Sequence, residues 1–451
     1  MPRRPSSPAP PWADGRREPL LKSLGLEPFR QAFPWYGPEL QTVRDTIVPP
    51  PPLPPGAESL LIDLADGGQL LARLNRPTVP GGARALVLLV HGLGGDSESP
   101  ALARLTRLLL ASRLAVLRLN LRGAGAGRGL APGCYSAVCG SDLRPVLALA
   151  RRLTRQLAHG TGSPVPLFGV GHSLGGTILL NLCLSDGGEH RACRQTGAES
   201  PGPEPLGRQP VEREPSGREP AAPAAAGQEL AARQPGHSGI TGARLQPSSA
   251  ASASNTRQAR GGDGPAAATA SRALDGLVCL SSPLDLEACS RRLGAARNAL
   301  SHAWLLRRLI RQVLADPQPL PAAELEALQG PGAVRSLRQF DHRITARRWG
   351  FASVEAYYRS ASPLPKLLAG AALPPTLVLQ SRDDPWIPSE AIETWLRRNP
   401  AAGPSLLLTA RGGHGGFHGA GSVLGRQQGS WAEQLAVRWL LAQSRTDRAG
   451  G

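Results

Sequence analysis

A strand–turn–helix segment between residues 166 and 184 constrains the fold more than any other part of the chain. The apolar run 166–170 leads into Gly171-His172-Ser173-Leu174-Gly175-Gly176, and the apolar run 177–184 follows it. A Gly-x-Ser-x-Gly sequence between a strand and a helix predicts a sharp turn, where the serine backbone is strained and glycines let other backbone approach. The Ser173 hydroxyl would then project above a sheet, beside a helix N-terminus that favours developing negative charge. Alone, the motif is weak, and its flanks and downstream partners strengthen it.

Apolar strands alternate with helices on both sides of this segment. Helices are expected from about residue 96 to 112 and from 141 to 158, and a final helix runs to about 443 after the capping-box sequence Ser430-Trp431-Ala432-Glu433. Strands are predicted at 59–64, 70–74, 85–90, 114–119, 166–170, 276–280, 376–380 and 405–409, the first two forming a hairpin around Ala65-Asp66-Gly67-Gly68. Buried strands that alternate with helices predict an α/β fold, with a mostly parallel central sheet flanked by helices on both faces.

Composition divides the chain into a core interrupted by an insertion. Residues 187–272 contain no Phe, Trp or Tyr and few large aliphatic side chains, so they cannot bury enough apolar surface to fold alone. We therefore predict a disordered, low-complexity insertion there. The complete prediction is a disordered N-terminal tail over 1–26, core segments over 27–186 and 273–445 with a helical lid over about 285–360, and a disordered tail over 446–451.

The chain is strongly basic, with 51 Lys and Arg residues against 34 Asp and Glu, a net charge of +17. Such an excess is compatible with binding to nucleic acid or to an anionic membrane. However, the arginines lie singly or in pairs along predicted helices and form no long basic tail, which favours solvated helix faces. We therefore predict no nucleic-acid partner.

Cysteine usage and hydropathy bear on the compartment. The six cysteines form no CxxC pair and no metal-ligand spacing, and several lie in apolar runs, which predicts buried free thiols and a reducing environment. No apolar signal-peptide core follows the basic N-terminus, and no run of about 18 apolar residues predicts a transmembrane segment. The expectation is a soluble cytoplasmic protein, whose oligomeric state the sequence does not determine.

A serine hydroxyl becomes a nucleophile when a base takes its proton and a carboxylate orients that base. The chain offers Ser173 in the elbow, Asp384 after the strand at 376–380 and His414 in a glycine-rich loop after the last strand. This order of serine, acid and histidine is typical of α/β-hydrolases. Asp383 and His418 are the competing acid and base, whereas His172 is predicted to point away from the site and serve in packing.

An oxyanion hole and the absence of a cofactor complete the predicted site. The backbone N–H groups of Leu174 and Leu93 are the expected oxyanion donors, Leu93 lying in the loop His91-Gly92-Leu93-Gly94-Gly95 after a buried strand. No metal-ligand constellation is found, and no cofactor is predicted. The glycine-rich loop at residues 122–127 lacks the lysine of a phosphate-binding loop and is interpreted as a structural turn.

Several further motifs, taken together, resemble the YheT-like α/β-hydrolases, a family related to abhydrolase-domain lipases and esterases. They span about residues 27–445 outside the insertion and are found at 39–42, 91–95, 119–123, 171–176, 281–286, 350–358, 383–385 and 412–417. The resemblance implies a hydrolase of carboxylic esters, such as acylglycerols, that uses Ser173, Asp384 and His414. Two departures are the long insertion and Tyr135-Ser136-Ala137-Val138, where the family has a Tyr-His-x-Gly sequence.

Three functional hypotheses follow from the sequence. The first is a serine carboxylesterase or lipase acting on a small-molecule or lipid ester. The second is a thioesterase or acyltransferase that uses the same three residues. The third is a non-catalytic protein that binds anionic partners through its arginines, and the intact set of Ser173, Asp384 and His414 argues against it.

Overall fold

A computed structural model describes residues 17–79, 82–158, 163–185, 273–399, 405–419 and 429–449. Contacts divide the chain into two units, and every described residue belongs to the unit made of residues 1–187 and 244–451. The architecture is an eight-stranded sheet of order β1-β2-β4-β3-β5-β6-β7-β8 with helices on both faces, which is the α/β-hydrolase fold. The predicted fold class is thereby confirmed.

The sheet is antiparallel at one edge and parallel elsewhere. The hairpin β1–β2 pairs antiparallel with β4, and all pairings from β4 to β8 are parallel. The strands are β1 Glu58–Asp63, β2 Gln69–Asn75, β3 Ala85–Val90, β4 Leu114–Asn120, β5 Leu167–His172, β6 Gly276–Leu280, β7 Thr376–Ser381 and β8 Ser405–Thr409. Because parallel strands end at the same edge, the loops after β3, β5, β7 and β8 meet there.

Helices connect the strands and fill the segment between β6 and β7. In the first half they are α1 Arg17–Ser23, α2 Pro38–Ile47, α3 Pro100–Ala111, α4 Gly140–Gln156 and α5 Leu174–Ser185, with a 3₁₀ helix at Gly125–Leu130. Between β6 and β7 lie α6 Leu286–Leu293, a 3₁₀ turn at Ala296–Asn298, α7 Ala299–Leu314, α8 Ala322–Gln329, α9 Leu337–Phe340, a π-helical turn at Asp341–Thr345, α10 Ala346–Arg348, α11 Val354–Ala361 and α12 Leu364–Leu368. Two helices close the fold, α13 Glu390–Arg398 and α14 Trp431–Ala449.

Two apolar cores lie on opposite faces of the sheet. Side chains of β3 alternate between them: Leu86 and Leu88 join one core, whereas Val87 and Leu89 join the other. Helices α4 and α5 cover the first face, and α3 and α14 cover the second. Every residue of β3 is buried because both faces are covered, which explains why this strand is apolar throughout.

The structure corrects both predicted tails. The N-terminal tail was expected to extend to residue 26, but α1 begins at Arg17 and buries Leu21 in the second core. The C-terminal tail was expected from residue 446, whereas α14 continues to Ala449. Composition alone obscured α1, because its few apolar residues follow a Pro- and Arg-rich stretch. The segment predicted as a lid is helical from Leu286 to Ala361, with short connections.

Other predictions concern the insertion, the thiols and membrane spans. The insertion predicted at 187–272 lies outside the described residues. Five of the six cysteines are described, and all five are free thiols; Cys134, Cys139 and Cys279 are buried. None of the helices in the described ranges combines the length and apolar character needed to cross a bilayer.

A buried ion cluster joins α2, α3 and α14. The guanidinium of Arg104 donates to both carboxylate oxygens of Asp45 at 2.8 Å and, through Nε, to Glu433 at 2.9 Å. Glu433 also accepts the Ser430 N–H at 2.7 Å while the Ser430 hydroxyl accepts the Glu433 N–H, which confirms the capping box. Burial raises the pKa of Glu433, although the charge of Arg104 counteracts this effect.

Replacing Arg104 with Met is expected to destabilise the fold strongly. It leaves the buried Glu433 carboxylate without its Arg104 partner and leaves Asp45 with Arg44, which lies 3.1 Å away. Loss of one partner of a buried ion pair typically costs about 3–5 kcal/mol of unfolding free energy. Chemical denaturation measures the loss. Arg107→Met on the same helix is the control, because among the described residues Arg107 bonds only the Pro52 carbonyl, and it should cost below about 1 kcal/mol. Equal losses for the two variants would show that the cluster contributes no net stability.

Candidate active site

Ser173 occupies a strained turn between β5 and α5. Its φ is +52°, in the left-handed region that non-glycine residues rarely adopt. The turn is held by the Ser173 N–H, which donates to the Leu280 carbonyl at 2.8 Å, and by the Gly176 N–H, which donates to the Ser173 carbonyl at 3.0 Å. Strain of this kind persists only where surrounding contacts over-determine it.

The glycines of the motif allow backbone to approach the turn. A Cβ atom on Gly175 would lie 2.3 Å from the Val90 carbonyl oxygen, and one on Gly171 would lie 2.3 Å from the Gly176 Cα. On Gly176 it would lie 1.9 Å from the Ser282 hydroxyl. The motif therefore reflects packing of the α5 N-terminus between β3 and β6, as well as the conformation of the serine itself.

The structure brings Ser173, His414 and Asp384 into one hydrogen-bonded chain. His414 Nε2 lies 3.0 Å from the Ser173 hydroxyl, and His414 Nδ1 lies 2.9 Å from Asp384 Oδ2. The other Asp384 oxygen accepts the N–H groups of Trp386 and Ile387 at 2.8 and 2.9 Å, which directs Oδ2 toward the histidine. An Nδ1 proton donated to Asp384 leaves Nε2 free to accept the serine proton.

The competing acid and base lie elsewhere. Asp383 Oδ1 accepts the Gly413 N–H at 2.9 Å and so supports the histidine loop from outside. His418 Nε2 lies 3.7 Å from Asp45 Oδ1, beside the buried ion cluster. Burial lowers the pKa of His418 to about 3, so the ring is neutral. Within the described residues, neither side chain hydrogen-bonds to Ser173 or His414.

His172 faces the site, contrary to the prediction that it points away. Its ring meets the His414 ring edge to face with centroids 6.1 Å apart, and it lines the cavity above Ser173. A Cβ on Gly415 would lie 2.2 Å from His172 Nε2, so the histidine loop packs closely against this ring. Burial lowers the pKa of His172 to about 4, which keeps it neutral beside His414. His172 therefore packs against the site itself.

The loop after β3 approaches Ser173 and presents a backbone N–H group that has no hydrogen-bond acceptor among the described residues. A Cβ on Gly92 would lie 3.0 Å from the Ser173 Cβ, so the loop passes directly beside the serine. Leu93 and Leu174 both line the cavity, and within the described parts of the chain neither backbone N–H has an acceptor. Backbone N–H groups without an acceptor, beside a serine hydroxyl, are the type of donor that an oxyanion hole uses.

Two buried rings hold that loop in place. The Tyr135 hydroxyl accepts the Gly94 N–H at 2.7 Å, and its ring packs edge-on against His91 with centroids 5.4 Å apart. His91 Nε2 accepts the Leu121 N–H at 3.2 Å, so its Nδ1 donates to the Gly92 carbonyl at 2.8 Å. Burial lowers the pKa of His91 to about 4, and the neutral ring keeps this bonding pattern. Tyr135 matches the tyrosine of the family's Tyr-His-x-Gly sequence, from which this chain departs at the next residue. This tyrosine thus supports the loop after β3.

A cavity of about 900 Å³ opens above Ser173 and His414. Its walls include apolar side chains from the helices between β6 and β7: Leu286, Leu293, Leu305, Leu309, Val313, Leu337 and Phe340. Asp341, on the π-helical turn, is a polar exception in this wall and accepts the Tyr358 hydroxyl at 2.8 Å. Burial raises the pKa of Asp341 to about 6.

The N-terminal segment supports the histidine loop, which the sequence reasoning missed. The Thr42 hydroxyl accepts the His414 N–H at 2.8 Å. Gln41 is fully buried, accepts the His418 N–H at 2.7 Å and donates to the His418 carbonyl at 2.9 Å. The motif at 39–42 was recognised as part of the family resemblance. Its contact with residues more than 370 positions away could not be read from the sequence.

Known proteins resemble parts of this chain. YheT, a putative esterase of Escherichia coli, is 35% identical over 176 residues, 37% of this chain and 47% of that protein. The human phospholipase ABHD3 is 42% identical over 85 residues, 18% of this chain and 20% of its own. A monoacylglycerol lipase of Saccharomyces cerevisiae is 30% identical over 119 residues, 26% of this chain and 25% of its own. No protein-family model matches the chain.

The chain spans less than half the length of each of these relatives. The strand order and the strained serine turn are those of the α/β-hydrolase fold, and the relatives named above are similar to this chain over part of their length. The resemblance to the YheT-like members is confirmed, since YheT is itself among the relatives.

Gly175→Ala is expected to destabilise the serine turn. The new Cβ would meet the Val90 and His91 carbonyl oxygens at 2.3 and 2.6 Å, and backbone cannot rotate away as a side chain would. Overpacking of this kind typically costs about 1–3 kcal/mol, measurable as a lower Tm. Gly129→Ala is the control, because no described atom beyond the adjoining chain lies within 4 Å of its new Cβ. A Tm for Gly175→Ala equal to that of Gly129→Ala would contradict the packing argument.

Proposed function

We propose that this chain is a serine hydrolase of carboxylic esters that forms an acyl-enzyme on Ser173. The observation that carries the proposal is the continuous chain from Ser173 through His414 to Asp384, with bonds of 3.0 and 2.9 Å. The N–H groups of Leu93 and Leu174 beside it support the same chemistry. The printed names of the relatives, an esterase, a phospholipase and a monoacylglycerol lipase, agree with an ester substrate.

Acylation begins when the Ser173 oxygen attacks the ester carbonyl carbon while His414 Nε2 takes the hydroxyl proton. The carbonyl oxygen becomes an oxyanion, which accepts hydrogen bonds from the Leu93 and Leu174 N–H groups. Asp384 stabilises the imidazolium through its hydrogen bond to Nδ1. The tetrahedral intermediate then collapses, the bond to the alkoxy oxygen breaks, and His414 returns the proton to the leaving alcohol.

Deacylation repeats these steps with water as the nucleophile. His414 takes a proton from water, the hydroxide attacks the acyl carbon, and collapse of the second intermediate returns the proton to the Ser173 oxygen. The products are a carboxylic acid and an alcohol. The apolar walls of the cavity favour an acyl chain that is itself apolar, because its burial there removes hydrocarbon surface from water.

A fluorophosphonate probe and nitrophenyl esters test this proposal directly. Wild type should be labelled and should hydrolyse short- and medium-chain esters, whereas Ser173→Ala and His414→Gln should lose both by about 10³-fold or more. His342→Gln is the control, because this lid histidine is exposed and does not line the cavity. Labelling that persists in Ser173→Ala would refute the assignment. Recovery of the acyl group on an acceptor molecule, instead of as a free acid, would identify an acyltransferase.

Tyr135→Phe is expected to lower kcat while leaving KM nearly unchanged. The hydroxyl that accepts the Gly94 N–H is lost, so the loop holding Leu93 is less well ordered when the oxyanion forms. Direct removal of an oxyanion donor costs about 10²–10³ in rate, and this indirect change should cost about 10-fold. Steady-state kinetics measure the effect, with the exposed Tyr36→Phe as control. A rise in KM at constant kcat would place Tyr135 in substrate binding instead.

A further inference from the structure

Exposed apolar side chains concentrate in two segments that contribute residues to the cavity wall. Among the described residues, nine large hydrophobic side chains are exposed, and six of them belong to two segments, residues 33–47 and helix α7. These six are Phe33, Tyr36, Leu40, Ile47, Leu300 and Trp304. Such concentration marks an interaction site, whereas isolated exposed hydrophobics need no explanation.

Both segments border the same opening. Leu300, 89% exposed, and Trp304, 45% exposed, line the cavity from α7. Val43 and Thr46 line it from α2, next to Ile47, which is 60% exposed. An ion pair of 3.0 Å between Glu39 of α2 and Arg297, just before α7, connects the two segments. We call these two segments, residues 33–47 and α7, the rim.

Helix α7 adds a positive charge to this apolar surface. Its sequence contains no acidic residue, and the exposed side chains at 300, 304, 307, 308 and 311 recur at helical spacing on one face. Arg308 lies over the Trp304 ring, 5.5 Å from its centroid, and 3.6 Å from Asp96. In the described part of the chain, Arg307 and Arg311 form no ion pair.

We infer that the rim docks onto the surface of a lipid assembly containing anionic lipids, and that ester substrates enter the cavity from that surface. A helix face that presents Leu and Trp beside arginines is the pattern of an interfacial helix. The second part of the inference rests on the proposed hydrolase function. The first part, lipid binding, does not.

Charge and apolarity together favour lipid over other occupants. A second copy of this chain, itself at +17, would bring arginines of the two rims toward each other. A nucleic acid would satisfy the arginines but would leave Leu300 and Ile47 facing a phosphate backbone. An anionic bilayer offers both a negative surface and a hydrocarbon layer beneath it.

Co-sedimentation with vesicles tests the docking. The protein measured is the full-length Ser173→Ala variant, so that lipid esters are not hydrolysed during the measurement. The vesicles contain phosphatidylcholine alone or phosphatidylcholine mixed with phosphatidylserine. Binding should be tighter with phosphatidylserine and should weaken with salt, because the arginines are exposed to solvent.

Two double variants separate the charge from the apolar contribution. Arg307→Gln with Arg311→Gln should weaken binding to phosphatidylserine vesicles by about 30-fold, as expected for two basic residues near the surface. Leu300→Ser with Trp304→Ser should weaken binding to both vesicle types by about 10-fold or more.

The control variants substitute exposed residues that lie outside the rim. Arg152→Gln with Arg155→Gln on α4 removes two exposed charges, and Leu61→Ser with Leu325→Ser removes two apolar groups that are 41% and 44% exposed. Both controls should bind vesicles as wild type does. Losses as large as those of the rim variants would overturn the assignment of binding to this surface.

The remaining outcomes distinguish this inference from the proposed function. Arg307→Gln with Arg311→Gln should hydrolyse a soluble short-chain ester at the wild-type rate, since neither arginine lines the cavity. Hydrolysis without vesicle binding would overturn lipid docking alone, and vesicle binding without hydrolysis would overturn the hydrolase alone. Absence of vesicle binding together with self-association that Leu300→Ser and Trp304→Ser abolish would assign the rim to a second copy of the chain.

Discussion

The close approach of the α5 N-terminus to the end of β3 is the constraint on which the site depends. Gly175 lies against the Val90 carbonyl so tightly that no side chain fits between them. This contact leaves Ser173 at the top of the turn with a positive φ and places the Gly92 loop beside it. Ser173, the candidate nucleophile, and the two candidate oxyanion donors therefore share one set of backbone contacts. A shift of either element would displace all three groups together.

The histidine depends on a different support, built from both ends of the chain. Its loop after β8 bonds to Thr42 and Gln41 of α2, and α2 is joined through Asp45 and Arg104 to Glu433 of α14. Removing one member of this network leaves its buried partners without a hydrogen bond, which costs free energy of unfolding. The members therefore stabilise the fold as a unit. Helix α2 is consequently part of the framework that supports the site, although none of its side chains takes part in the proposed proton transfers.

Local sequence patterns were sufficient for the strands and the elbow. Each central strand is a short apolar run because it is covered on both faces, and such runs stand out against the Gly-, Pro- and Arg-rich background. Asp384 and His414 could be ordered by their positions after late strands. The same reasoning misdirected His172, because a sequence shows that this residue adjoins Ser173 but not that the loop after β8 packs against its ring.

The sequence by itself determined the class of fold, the order of serine, acid and base, and the glycines that permit a strained turn, because these depend on periodicity and on local backbone sterics. Only the tertiary structure decided which acid and which histidine form the hydrogen-bonded series with Ser173. It also decided that Gln41 and Thr42 support the histidine loop, that Tyr135 supports the Gly92 loop, and that Leu300 and Trp304 lie at the cavity mouth. These relations join residues far apart in the chain, and their distances are set by how the helices pack around the sheet.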